Sequence, residues 1–234
     1  MTVAQNIAVI IPAFNEEASI GQVIEALPKA YIMKVVVGNN ASTDATKAVA
    51  EKAGATVVDE ARKGYGWACL KAMEHIASWP VKPEIVVFID GDFSDYPQEL
   101  PNVVAPILEQ DIDLVIGSRA LGKKVKGSMT MPQIFGNWLA TRLMRLFYGV
   151  EYTDLGPFRA IKYSKLLALN MADKTYGWTI EMQLKAANHK MTYTEVPVNY
   201  KKRIGISKVS GTVKGTILAG YKIIGAVFKY KFIK

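Results

Sequence analysis

Residues 84–97, EIVVFIDGDFSDYP, run an apolar strand straight into three carboxylates, Asp90, Asp92 and Asp95, and close on a proline. Asp90 and Asp92 stand two apart around Gly91, a residue whose free backbone lets both side chains turn toward one point. Hard oxygen donors of this kind suit Mg²⁺ or Mn²⁺, and Mg²⁺ is usually held by one or two carboxylates plus a ligand's phosphates. A polar turn opening the next helix is the plain alternative, and Asp95 fits that alternative as well as it fits a third ligand. The flanking sequence decides how such a strand end is used.

Working outward, strand-like and helix-like patterns alternate. IAVIIPA (7–13), KVVVG (34–38), ATVVD (55–59), EIVVFID (84–90) and DLVIGSR (113–119) read as strands. Between them, residues 18–27, STDATKAVAEKAG, GWACLKAMEHIA and ELPNVVAPILEQ read as helices, with Ser42 or Thr43 as a cap and Gly54 as a stop. This alternation predicts an α/β fold: a mostly parallel central sheet with helices on both faces. Ligands then bind beyond the carboxyl ends of the strands. Polar groups stand at four such ends: Pro12 to Glu17, Asn39 and Asn40, Asp90 to Asp95, and Ser118 with Arg119. Together they would ring one crevice. Downstream, PQIFGNWLATRLMRLFYG reads as a helix whose apolar stripe belongs to the core, with an interfacial role as the other reading.

Composition narrows the functions available. Half of the 234 residues are hydrophobic and 21% are charged, enough for one well-formed core. No linker or repeat interrupts the chain, so a single domain over 1–234 is expected. One cysteine and two histidines exclude a disulfide framework and make a zinc site unexpected. The net charge of +8 calls for an anionic partner. Without any nucleic-acid module, anionic lipid or phosphate is expected rather than nucleic acid. No stretch reaches the roughly eighteen apolar residues that cross a bilayer. The amino-terminal run has no basic leader, so a cytoplasmic location is expected. A basic amphipathic helix over about 212–234 would rest on the inner face of the membrane.

VIIPAFNEE, the turn from Asn39 to Asp44, the Asp-Gly-Asp and GSR resemble family 2 glycosyltransferases of the GT-A fold. DLGPFRAI (154–161), YGWTIEMQLKA (176–186) and EVPVNYKKRIGISKVSG (195–211) resemble its dolichyl- or polyprenyl-phosphate sugar synthase branch, the dolichyl-phosphate mannose synthase-like one. The resemblance spans nearly the whole chain. It implies an inverting transfer of a hexose from a nucleotide diphosphate sugar (UDP- or GDP-linked) to a polyprenyl phosphate. The other acceptor considered is a hydroxyl of a membrane lipid or glycan. By matching motif, Pro12, Asn15, Glu16, Asn39, Asp90 and Asp92 would bind the nucleotide sugar, with Asp90 and Asp92 also holding the metal. Asn39 replaces an aspartate of many relatives, and Ser94 stands where some carry a ligating glutamine. Arg119, Arg203 and Lys208 would clamp phosphates, a task suited to guanidinium forks. A lipid phosphate attacks as an anion, whereas an alcohol needs a base. Glu181 and Asp154 are the candidates for that base, alongside Asp92 as a catalytic group. A haloacid-dehalogenase-type phosphatase, a sugar-nucleotide pyrophosphorylase and a non-catalytic binding module each leave most of these motifs unexplained.

Overall fold

A computed structural model of the protein describes residues 6–205 and 224–231. In chain order the elements are β1 (Ile7–Ala13), α1 (Ile20–Ala26), β2 (Ile32–Asn39), α2 (Thr46–Lys52), β3 (Thr56–Asp59), α3 (Tyr65–Ala77) and β4 (Ile85–Phe88). The second half adds α4 (Leu100–Gln110), β5 (Leu114–Ser118), α5 (Met131–Tyr148), β6 (Arg159–Lys162), α6 (Tyr163–Ala168), α7 (Trp178–Asn188) and β7 (Tyr193–Pro197). The strands form one sheet in the order β3-β2-β1-β4-β6-β5-β7. β1, β2, β3 and β4 pair in parallel, while β6 runs antiparallel between β4 and β5. β7 then pairs in parallel with β5 at the edge. The sheet is mostly parallel, as expected, with β6 its one antiparallel strand, and β6 and β7 add to the five strands legible in the sequence.

β1 and β4 are buried along their whole lengths, which is why they read as continuous apolar runs rather than alternating ones. Their side chains feed two apolar clusters, one on each face. One contains Ala8, Ile10, Phe88 and Trp178, the other Val9, Ile11, Val87 and Leu100. The consequence for function is positional. The carboxyl ends of β1 to β4 emerge side by side, in register from Ala13↔Asn39 to Asn39↔Asp59.

α5 departs from the expected core stripe. Ala140 and Met144 are buried, yet Phe135 is 61% and Trp138 is 51% exposed. Residues 224–231 are helical and dock against α5 and α7. There Phe228 packs 5.1 Å from Phe147, and Tyr148 Oη donates to the Val227 carbonyl at 2.6 Å. The rest of the carboxyl-terminal helix expected over 212–234 lies outside the described residues. Among the described residues, no helix is long and apolar enough to cross a membrane.

Candidate active site

The loops that leave β1, β2, β3 and β4 enclose a cavity of about 310 Å³. Pro12, Glu16, Asp90 and Asp92 line it, joined by Arg203 from the segment that follows β7. Asn40, Lys63 and Tyr65 line it as well, and sequence reasoning assigned no ligand role to Lys63 or Tyr65. They sit in RKGYG (62–66), a basic, glycine-rich run directly after the third strand. That strand end carried the same positional signal as the other four.

Arg203 ties the mouth of the cavity together. Its Nη1 lies 3.1 Å from Asp92 Oδ2 and its Nη2 donates to Glu16 Oε1 at 2.8 Å. Its Nε is buried and has no hydrogen-bond partner among the described residues. The main chain fixes this placement: Lys201 N donates to the Ser94 carbonyl and Ile204 N to the Asp92 carbonyl, both at 2.9 Å. Lys201 Nζ also stands 3.3 Å from the centre of the Phe93 ring.

The two aspartates differ. Asp92 Oδ1 accepts from both the amide and the hydroxyl of Ser94, so Ser94 orients Asp92. Asp90 accepts from Tyr65 Oη at 3.0 Å. Burial, and then the neighbouring Asp92 charge, push the Asp90 carboxyl up to about 7. Two carboxylates crowded at one cavity wall are what a divalent cation would relieve, and the all-oxygen donor set suits Mg²⁺ or Mn²⁺. Among the described residues no third His, Cys, Asp or Glu completes a protein-only metal cluster. A cation here would therefore take its remaining ligands from phosphate and water. Asp95 stands apart: it is buried, bridges to Tyr200, and both carboxylate oxygens lack a partner. Burial raises its pKa well above its usual value.

Several expected groups lie elsewhere. Asp154 is 1% exposed and accepts from Arg119 N, Nε and Nη2 at 2.7–2.8 Å. Burial alone would lower the Arg119 pKa, but the Asp154 charge more than offsets this and holds it above its usual value. Each is thus consumed by the other, and neither lines the cavity. Glu181, 0% exposed, accepts from Ala172 N, Asp173 N and Tyr230 Oη and pairs with Lys185 Nζ at 2.8 Å. It braces the loop before α7 and the helix at 224–231, where a general base has no access. Asn15 joins two loops, its Oδ1 accepting from Thr43 N at 2.8 Å. Asn39 Nδ2 donates to Asp59 Oδ1 at 2.8 Å, while its own Oδ1 is buried without a partner. Lys208 lies outside the described residues. Arg159, assigned no role from sequence, is fully buried and spends its donors on the carbonyls of Leu155, Gly156 and Thr179. Burial lowers its pKa to about 10.

The family model described as glycosyl transferase family 2 matches residues 8–168, more than half of the chain. The chain belongs to that family. An uncharacterized glycosyltransferase of Mycobacterium tuberculosis is 34% identical over 216 residues, covering 91% of this chain and 94% of the relative. Among solved structures, the fold matches glucosyl-3-phosphoglycerate synthase of the same organism. Its complex with Mn²⁺, UDP-glucose and phosphoglyceric acid superposes with a TM-score of 0.77 at 22% identity, covering 99% of this chain and 81% of that one. Its complex with Mn²⁺, UDP and glucosyl-3-phosphoglycerate gives 0.76 over the same shares of both chains and at the same identity. This family 2 chain is therefore a glycosyltransferase with the α/β GT-A fold. These solved structures are of glucosyl-3-phosphoglycerate synthase, where the dolichyl- or polyprenyl-phosphate branch was expected. Where a polyprenyl phosphate, a lipid or glycan hydroxyl and an anionic membrane surface were expected, these complexes hold glucosyl-3-phosphoglycerate or phosphoglyceric acid.

Proposed function

We propose that this chain transfers glucose from UDP-glucose to the hydroxyl of a small phosphorylated acceptor of the phosphoglycerate or glycerol phosphate class. The observation that carries this reading is the cavity wall itself: Asp90 and Asp92 face the same 310 Å³ space as Arg203, whose buried Nε has no partner. A diphosphate answers both needs. It brings oxygen ligands to a cation between the aspartates, and it gives the guanidinium an anion to fork onto. Asp90 and Asp92 would hold Mn²⁺ or Mg²⁺, which supplies charge neutralisation at the diphosphate leaving group. Glu16 keeps Arg203 oriented at the mouth, and Lys63, over the Phe14 ring at 5.5 Å, adds positive charge to the nucleotide side.

The donor and acceptor class are those of the structural neighbour, whose complexes contain UDP-glucose with phosphoglyceric acid or with glycerol 3-phosphate. The experiment is transfer of labelled glucose from UDP-glucose to 3-phosphoglycerate or glycerol 3-phosphate in the presence of Mn²⁺, with chromatography of the product. Formation of a phosphorylated glucoside is expected. Absence of transfer to every phosphorylated three-carbon acceptor, together with no UDP-glucose binding, refutes the proposal.

A further inference from the structure

Tyr65 opens α3 and reaches across the cavity floor to Asp90, with Oη to Oδ1 at 3.0 Å. Its position is strongly determined. Asn40 holds the preceding loop from both sides, accepting from Gly64 N at 2.7 Å and donating to the Arg62 carbonyl at 2.7 Å. Gly64 and Gly66 flank Tyr65 and pack directly on the Lys174 and Asp173 carbonyls. A Cβ at either position would collide with that backbone, and Gly64 has φ +150. The glycines let the start of α3 pack directly on the backbone of residues 173–174.

We infer that Tyr65 is a positioning residue for Asp90: it occupies one carboxylate oxygen and leaves the other for the cation, favouring Mn²⁺ or Mg²⁺ over Ca²⁺. The inference rests on the metal reading of the proposed function. Its physical basis is the difference between the cations. Ca²⁺ takes six to eight oxygens and accepts carboxylates in the bidentate as well as the monodentate mode, whereas Mg²⁺ demands near-octahedral geometry at short range. A carboxylate with Oδ1 already engaged by a buried phenol is a poor bidentate ligand. Partners of this outer kind fix ligand orientation, and their loss typically weakens metal binding by about 10- to 100-fold.

The test is Mn²⁺ binding to the full chain with UDP present, read by electron paramagnetic resonance, followed by competition with Ca²⁺. Tyr65→Phe keeps the buried ring and removes only the hydroxyl, and circular dichroism confirms its fold. We expect Tyr65→Phe to bind Mn²⁺ at least about tenfold more weakly, and Ca²⁺ to displace Mn²⁺ at a lower Ca²⁺:Mn²⁺ ratio than in the native protein. Cys69→Ala, a change in the same buried region with no bond to Asp90, should leave both readings unchanged. An unaltered Mn²⁺ affinity or an unaltered competition ratio in Tyr65→Phe overturns the inference while leaving the proposed function standing. No Mn²⁺ bound by the native protein overturns the metal reading and this inference with it.

Discussion

Asp154→Asn distinguishes a carboxylate that braces from one that catalyses. Asp154 accepts three hydrogen bonds from Arg119, two of them from the guanidinium, and Asn is nearly isosteric but uncharged. The change strands the Arg119 guanidinium, whose side chain is only 11% exposed, without its counter-charge. Breaking one side of a buried ion pair costs about 3–5 kcal/mol. Against an ordinary domain stability of about 5–15 kcal/mol, that is roughly a fifth of the total or more. In urea, with the slope near the top of its usual range, the unfolding midpoint should fall by roughly 1–2 M. Tryptophan fluorescence reads the transition, since the chain has four tryptophans and Trp178 is buried in the core. The slope itself should not change. Pairing the variant with Arg119→Met removes the stranded cation and should recover part of the loss, a coupling that a double-mutant cycle measures. An Asp154→Asn protein with a native unfolding curve and abolished transfer would refute the brace and return Asp154 to the reacting centre.

Other substitutions separate the remaining roles. Asp92→Asn should abolish metal-dependent transfer and leave circular dichroism unchanged, and undiminished transfer would sink the metal assignment. Glu181→Gln should lower stability by about 1–3 kcal/mol by weakening its bonds to Ala172, Asp173 and Tyr230, with Tyr230→Phe costing less. Thermal unfolding checks both, and an unchanged melting curve with collapsed turnover in Glu181→Gln would contradict the bracing role. Glu60 predicts a pH effect: hydrogen bonds from Arg62 hold its carboxyl at about 2 against an unperturbed 4.5. Because the folded pKa is depressed, the stabilisation is complete above 4.5 and is lost as pH falls toward 2. Glu60→Gln should flatten stability against pH in that window, and an identical acid limb in both proteins would rule the contribution out.

The parallel half of the sheet was legible because β1, β2 and β4 are nearly pure apolar runs separated by helical patterns. β6 was not: it is four residues long and opens on Arg159, whose burial depends on carbonyls supplied by its own loop and by α7. β7 hid for another reason. As an edge strand its residues are half-buried, so YTEVP carries little hydrophobic signal. In the site, strand-end position was a sound guide to Pro12, Glu16, Asp90 and Asp92, all of which line the cavity. It would also have led to Lys63 and Tyr65 had the third strand's end been weighed with the others. Residue type was a poor guide wherever charges pair off. Arg119 and Asp154 are 35 residues apart, and only the folded chain shows that they meet. Glu181, a base candidate by its matching motif, is closed over by Tyr230 and the Ala172–Asp173 amides.

These placements divide the molecule by how it uses charge. Every cavity carboxylate, Glu16, Asp90 and Asp92, leaves a parallel strand of the first half, where the backbone ends beside a space rather than beside a partner. The buried ionised groups of the mixed half are spent internally: Arg119 on Asp154, Arg159 on carbonyls, Glu181 on Lys185. Arg203 is the exception, and its exception is built by the main chain. The segment after β7 crosses back over the Asp92–Asp95 loop, donating Lys201 N and Ile204 N to its carbonyls, and so carries a cation from the second half into the cavity of the first. The net charge of +8 therefore says little about the site. What matters there is one guanidinium delivered against two acids from different strands, with a donor left over for a ligand.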